Sequence, residues 1–248
     1  MNLTLLQDDP QKQQTPPVFV ALDTSSVQEA QHIVARLGDL GTHYKIGLQA
    51  YMAFGHSFVE KLLLQDKTVF LDLKFMDIPN TVRHAVKEGV SMGVSMLTVH
   101  ALGGLPMLCA AVDEASKASF RKVETKILAV TYLTSLSQET LPLSVQHQES
   151  FLDQVLELAS IANDANAHGV VCSAEELAAI KIKYPKLKAL VPGIRPQGMQ
   201  KQDQARTATP LEAKQRGADY LVVGRPITEA PNPQQVLQSI LDELRDRV

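Results

Sequence analysis

Cysteine is scarce in this sequence: Cys109 and Cys172 are the two in 248 residues. The two show no metal-ligand spacing, and two thiols make no disulfide framework. Their settings, PMLCAAV and VVCSAEE, mark them as small buried hydrophobes in a reducing compartment. Long apolar runs are missing too. Nothing approaches the roughly 18 consecutive apolar residues that a membrane helix needs. The opening stretch MNLTLLQDDPQKQQTPP has no basic region followed by an apolar core, so it does not read as a signal peptide. We expect residues 1–16 to be a polar tail ahead of one folded domain over 17–248, in a cytoplasmic protein.

No charge of one sign dominates. The 24 Lys and Arg against 27 Asp and Glu leave a net charge of −3, which excludes a broad electrostatic footprint for nucleic acid or an anionic membrane. A local basic pocket for one phosphate remains open. The seven histidines show no pair at metal-binding spacing on one element, and no serine or cysteine carries the neighbouring base of a nucleophile. Neither a metal site nor covalent catalysis is therefore expected.

What the sequence does have is a regular alternation. Short apolar runs recur at Val18–Leu22, Tyr44–Gly47, Val69–Leu73, Met96–His100, Ile127–Val130, Gly169–Cys172, Ala189–Val191 and Tyr220–Val223. Runs such as VFVAL, VFLDL, ILAV and YLVV suit strands buried on both faces of a parallel sheet. Between them lie helix signals. Ser173 with Glu176, and Thr209 with Glu212, are spaced as capping boxes, and Pro210 stands at a first helical position. Pro79 can open a helix through Thr81–Val90, and Glu149–Ala167 carries apolar residues at helical spacing. Eight β–α units in one chain point to a single-domain (β/α)8 barrel. The alternative is a doubly wound open sheet, which loses ground because no G-x-G-x-x-G turn follows an early strand.

In such a barrel the site lies at the carboxyl ends of the strands, so the residues there matter most. They are Asp23, Lys45, Asp72 and Lys74, His100, Thr134 and Ser135, Gly193 to Arg195, and Gly224 with Arg225. Charges gathered at buried strand ends cost several kcal/mol each unless paired. In DLKFMDIPNT, strand alternation puts Asp72 and Lys74 on one face and Leu73 on the other, with Asp77 in the following turn. These residues with Lys45 suit an array of alternating carboxylates and ammoniums; a purely structural ion-pair network is the competing reading. PGIRP and GRP fall after strands 7 and 8, where barrel enzymes often bind phosphate. Glycine there admits close backbone approach, and arginine adds a bidentate fork. His100 is as consistent with a core position as with the pocket.

Taken together, VALD, Lys45, DLKFMDIPNT, LTS, PGIRPQG with a later Asp-Gln, and VVGRPIT resemble the bacterial orotidine 5′-phosphate decarboxylases. The resemblance runs from about Val18 to the carboxyl terminus. Met76 departs from it, at a position where bacterial members often carry histidine; its side chain is expected to point away from Asp72 and Lys74. The resemblance implies decarboxylation of orotidine 5′-phosphate without a cofactor, in a homodimer with shared sites. Lys74, Asp72, Asp77 and Lys45 would be the catalytic set, with Asp77 and Thr81 reaching into the partner's pocket. Asp23 and Lys45 would hold the ribose, and Thr134 with Ser135 would lie near the pyrimidine. Arg195, Gln204, Gly224 and Arg225 would hold the phosphate. The rival readings are a related metal-using sugar-phosphate decarboxylase or aldolase, and a catalytically silent barrel that binds a phosphate ligand.

Overall fold

Strands that are apolar on both faces have to be covered on both, and a closed parallel barrel ringed by helices does this. The computed structural model describes residues 15–117, 123–141, 150–196 and 206–245. Its strands are β1 (Val18–Ala21), β2 (His43–Gly47), β3 (Thr68–Phe75), β4 (Met96–His100), β5 (Lys126–Val130), β6 (Gly169–Val171), β7 (Lys188–Val191) and β8 (Tyr220–Val223). They close in chain order, β8 pairing back to β1, with every neighbouring pair parallel. The helices of the outer ring are α1 (Val27–Leu37), α2 (Leu48–Leu63), α3 (Pro79–Met92), α4 (Gly104–Lys117), α5 (Phe151–Asp164), α6 (Leu177–Lys183) and α7 (Pro210–Gln215). After β8 come the short α8 (Arg225–Thr228) and α9 (Pro233–Arg245). The expected (β/α)8 barrel is the observed fold, and each apolar run seen in the sequence is a strand to within two residues at either end. Residues 1–14 of the expected tail lie outside the described residues.

Helix starts follow the local chemistry in most places. Thr209 and Glu212 form the expected capping box around Pro210, and α3 opens on Pro79. Ser173 and Glu176 behave differently. The Glu176 carboxylate accepts the Ser173 N–H at 2.8 Å, as a capping box requires, yet α6 begins only at Leu177. The reciprocal half of the box is replaced: the Ser173 hydroxyl donates to this same carboxylate and accepts the Glu175 N–H, while the carboxylate, 4% exposed, also pairs with the Arg206 guanidinium. Cys172 is buried as expected, and desolvation pushes its thiol up to about 12; Cys109 is only partly buried against the outer core.

Alternation along the strands divides the apolar residues into two cores. Val18, Val20, Ile46, Leu71, Leu97 and Ala129 face the helices. Phe19, Phe70, Met96, Leu128, Leu190 and Val222 face inward and fill the barrel. The same inward positions, followed toward the carboxyl ends, turn polar: after Phe19 and Ala21 comes Asp23, and after Phe70 comes Asp72. The packed interior closes the barrel below and leaves a polar mouth above. Among the described residues no helix is long and apolar enough to cross a membrane.

One inward group near the opposite end links the fold to pH. His168 Nε2 lies 3.0 Å from the Tyr220 hydroxyl. Burial, reinforced by Lys126 and Lys188 and opposed by Asp219 and Glu124, lowers its pKa from 6.5 to about 4. A depressed histidine favours the folded state while neutral, so its contribution is present above pH 6.5 and is lost as the pH falls toward 4. Urea unfolding at a series of pH values is expected to show stability declining through that window. His168→Asn should flatten the decline, and an unchanged slope in the variant would refute the assignment.

Candidate active site

The mouth of the barrel is a cavity of about 630 Å³ lined by residues from β1, β2, β3, β5, β6, β7 and β8 and the loops that follow them. On its β1–β3 side lie four charges in series. Lys45 Nζ, from β2, is 2.8 Å from both Asp23 carboxylate oxygens and 3.7 Å from Asp72 Oδ2. Lys74 Nζ is 2.8 Å from Asp72 Oδ1. Lys45 is 7% exposed, so its ammonium depends on these carboxylates. Two positive and two negative groups leave the series neutral within one chain.

Of the expected array of Asp72, Lys74, Asp77 and Lys45, three members are brought together; Asp77 is not among them and Asp23 closes the series instead. β3 reaches it by a route that simple alternation did not suggest. Lys74 has φ of +51°, in the left-handed region that a side chain with a Cβ seldom adopts. The register with β4 shifts at the same place: Leu71 pairs with Leu97, but Phe75 pairs with Val99, so two extra residues bulge out of β3. Thr98, fully buried on β4, holds the bulge. Its hydroxyl accepts the Lys74 N–H at 2.9 Å and donates to Asp72 Oδ1 at 3.1 Å. One side chain therefore anchors both the backbone and the carboxylate of the Asp72–Lys74 pair.

Gly47 is the second contributor that sequence reasoning passed over. A Cβ there would stand 2.7 Å from Asp23 Oδ1 and 2.9 Å from Lys45 Nζ, so a larger residue would force the pair apart. The only trace of either in the sequence is a threonine inside an apolar strand and a glycine ending one. Nothing local says what they touch.

The remaining candidates are distributed around the mouth. Thr134 and Ser135 line the cavity after β5, and Gly193, Arg195, Gly224 and Arg225 line it after β7 and β8. Gly193 has φ of +75°, a conformation that glycine takes freely. Arg195 is 8% exposed. Its Nη1 donates to the Ile194 carbonyl at 2.9 Å, while its buried Nε has no partner among the described residues. Burial, together with neighbouring Arg225 and against Glu229, makes the Arg195 charge harder to hold than usual. An anion placed there would relieve both the desolvation and the unpaired donor. Gln204 lies outside the described residues. Met76 is exposed and stands clear of the cavity. His100 ends β4, where burial and the Lys74 charge lower its pKa.

Asp77 and Thr81 are not brought to this cavity. Both are exposed, and Asp77 Oδ1 accepts the Ile78 N–H at 2.7 Å. Among the described residues no group of three His, Cys, Asp or Glu is arranged to hold a metal ion.

Comparison with known proteins is consistent with this geometry. A model of the Orotidine 5′-phosphate decarboxylase / HUMPS family matches residues 16–240. The chain belongs to that family. Among relatives named orotidine 5′-phosphate decarboxylase, one from Pseudomonas putida is 41% identical over 232 residues, covering 92% of this chain and 97% of that protein. Another, from Psychromonas ingrahamii, is 42% identical over 233 residues with the same coverage. The crystal structure of the orotidine 5′-phosphate decarboxylase from Lactobacillus acidophilus superposes with a TM-score of 0.84 at 35% identity, covering 93% of this chain and all of that one.

The bulge gives a direct test. Thr98→Val keeps the shape but leaves the Lys74 N–H and one Asp72 oxygen without their shared partner. Leaving a buried donor unsatisfied costs roughly 1–3 kcal/mol, so chemical denaturation should show a loss of that size. A neutral substitution would mean that Thr98 does not hold the bulge.

Proposed function

We propose that this chain is a carboxy-lyase that converts orotidine 5′-phosphate to uridine 5′-phosphate and CO2 in pyrimidine synthesis, with no cofactor. The observation that carries the reading is the series Asp23–Lys45–Asp72–Lys74 set across the cavity from Arg195, in a chain whose relatives at 41–42% identity bear that name over nearly their full length. The C6–carboxylate bond breaks with its electron pair left on C6, in the plane of the ring and without an attached electron sink. Lys74 provides the nearby cation and then gives its Nζ proton to C6. Asp72 orients Lys74 and stands near the departing carboxylate.

Magnitudes decide between these two contributions. Two like charges about 4 Å apart repel by roughly 4 kcal/mol at an effective dielectric of 20. Enzymes lower barriers by about 8–23 kcal/mol. Repulsion between Asp72 and the substrate carboxylate is therefore a minor part, and stabilisation of the developing carbanion by Lys74 is the larger one. Asp23 and Lys45 bind the ribose, Thr134 and Ser135 face the pyrimidine, and Arg195, Gln204, Gly224 and Arg225 hold the phosphate.

The enzyme acts as a homodimer with shared sites. Asp77 and Thr81 serve the neighbouring subunit's cavity, which accounts for their exposure on the single chain. Apolar side chains next to them in the chain lie uncovered: Met76 and Ile78 are 56% and 66% exposed, as are, more moderately, Leu102 after β4 and Leu105 in the first turn of α4, at 47% and 41%. Such a patch suits burial against a second copy.

An ultraviolet assay of orotidine 5′-phosphate consumption tests the activity, and insensitivity to chelators separates it from a metal-using sugar-phosphate enzyme. Lys74→Ala should lower turnover by at least about 10³-fold while uridine 5′-phosphate still binds within a few-fold of wild type. Near-normal turnover in that variant would sink the mechanism. Sharing has its own test. Mixing Lys74→Ala with Asp77→Ala chains should restore one working site per heterodimer, and the absence of any recovery would count against it.

A further inference from the structure

Arg206 does not line the cavity, yet it contacts the turn after β5 that does, the turn after β6 and the start of α5. Its Nη2 donates to the Leu133 carbonyl at 3.2 Å. Its Nη1 donates to Ser173 Oγ at 3.3 Å and pairs with the Glu176 carboxylate. The guanidinium plane lies over the Phe151 ring, 4.9 Å from its centroid. Ser173 and Glu176 are 1% and 4% exposed, so this is a buried ion pair that a solvated surface arginine would not form.

The Leu133 carbonyl is the informative contact. It also accepts the Leu136 N–H at 2.9 Å, closing the turn that carries Thr134 and Ser135. Arg206 therefore grips the turn at the bond that shapes it. The same ring, Phe151, packs on Tyr132 at 5.2 Å between centroids, and the Tyr132 hydroxyl donates to Gln154 at 3.2 Å. Two residues beyond Arg206, the Ala208 carbonyl accepts the Arg195 N–H at 2.9 Å, and Ala208 bridges Ile194. The short stretch from Arg206 to Ala208 thus joins the hydroxyl-bearing turn after β5 to the arginine after β7, across the end of β6.

We propose that Arg206 is a positioning residue that sets the span between the Thr134–Ser135 turn and Arg195, and so selects ligands that reach both. The inference rests on the functional reading above, in which the base meets the turn and the phosphate meets Arg195. A ligand that fills both ends depends on their separation. One that has only the phosphate end does not. A merely structural role would weaken both ligands together or neither.

The test compares uridine 5′-phosphate with ribose 5-phosphate by calorimetry. Arg206→Ala leaves Glu176 buried beside no cation and is prone to misfold, so two gentler variants are used. Arg206→Lys keeps a charge near Glu176 but loses the planar fork and the stacking on Phe151. Arg206→Met with Glu176→Gln removes both charges at once. In each, the Kd for uridine 5′-phosphate should rise about tenfold or more, while that for ribose 5-phosphate stays within about threefold of wild type. Equal weakening of the two ligands, or unchanged binding of uridine 5′-phosphate, overturns the proposal. Wild-type protein that binds no uridine 5′-phosphate and consumes no orotidine 5′-phosphate overturns the functional reading, and this inference with it.

Discussion

Each charge at the ends of β1, β2 and β3 is tolerable because the next one neutralises it. Lys45 is the pivot, since it is nearly buried and lies between Asp23 and Asp72. Without it two carboxylates would face each other across a partly desolvated cavity, and removing one partner of a buried pair typically costs about 3–5 kcal/mol. The demand reaches into the backbone around it. Gly47 has no Cβ because one would separate Asp23 from Lys45. β3 bulges, and Lys74 takes a left-handed conformation, which for such a residue costs on the order of 1–3 kcal/mol. Thr98 offsets part of that by bonding the Lys74 N–H and Asp72 together. Strain of this kind, held by a fully buried neighbour, places an ammonium where an unstrained strand would not.

The barrel was legible because its strands are buried on both faces, and that condition writes itself locally as short runs of Val, Ile and Leu. The inward charges were legible for the opposite reason, as the exceptions in those runs. Thr209 with Glu212 could be read from spacing because a capping box involves only neighbours. Ser173 with Glu176 has the same spacing and misled, because the Ser173 hydroxyl bonds the Glu176 carboxylate and the Glu175 N–H, and Arg206 from another segment pairs with that carboxylate too. Thr98, Gly47 and Arg206 share this feature. Their roles depend on which residues the register and the closed sheet bring beside them, and a linear string does not display that. The β3 bulge is another case: alternation put Asp72 and Lys74 on one face, and they do share the cavity, but through a distortion visible only against β4.

The placement of the charges also limits what the cavity can accept. β7 is four strands from β3 in either direction around the closed sheet, so Arg195 and Lys74 stand on opposite sides of the mouth. The inward apolar layer of Phe19, Phe70, Met96 and Leu128 closes the floor between them. A ligand that uses both sides must therefore carry its anion and its reacting group on separate parts of one body that spans the mouth. A nucleoside monophosphate has that form. A small anion or a free base would engage one side only.

This separation has a consequence for rate as well as for fit. Under the proposed function, binding energy gained at Arg195 is far from the bond that breaks, so it would raise the catalytic rate only if it were used to hold the reacting end against Lys74 more tightly in the transition state than in the ground state. That requires a stiff connection between the two sides of the mouth. The neutral, mutually bonded series on the β1–β3 side has few alternative arrangements, because moving any member unpairs another. On the far side, Arg195 is fixed through its own backbone to Ala208. Stiffness at both ends is what the proposed phosphate grip would need in order to act at C6. A looser rim would hold the same nucleotide as firmly without bringing its carboxylate to Asp72 and Lys74.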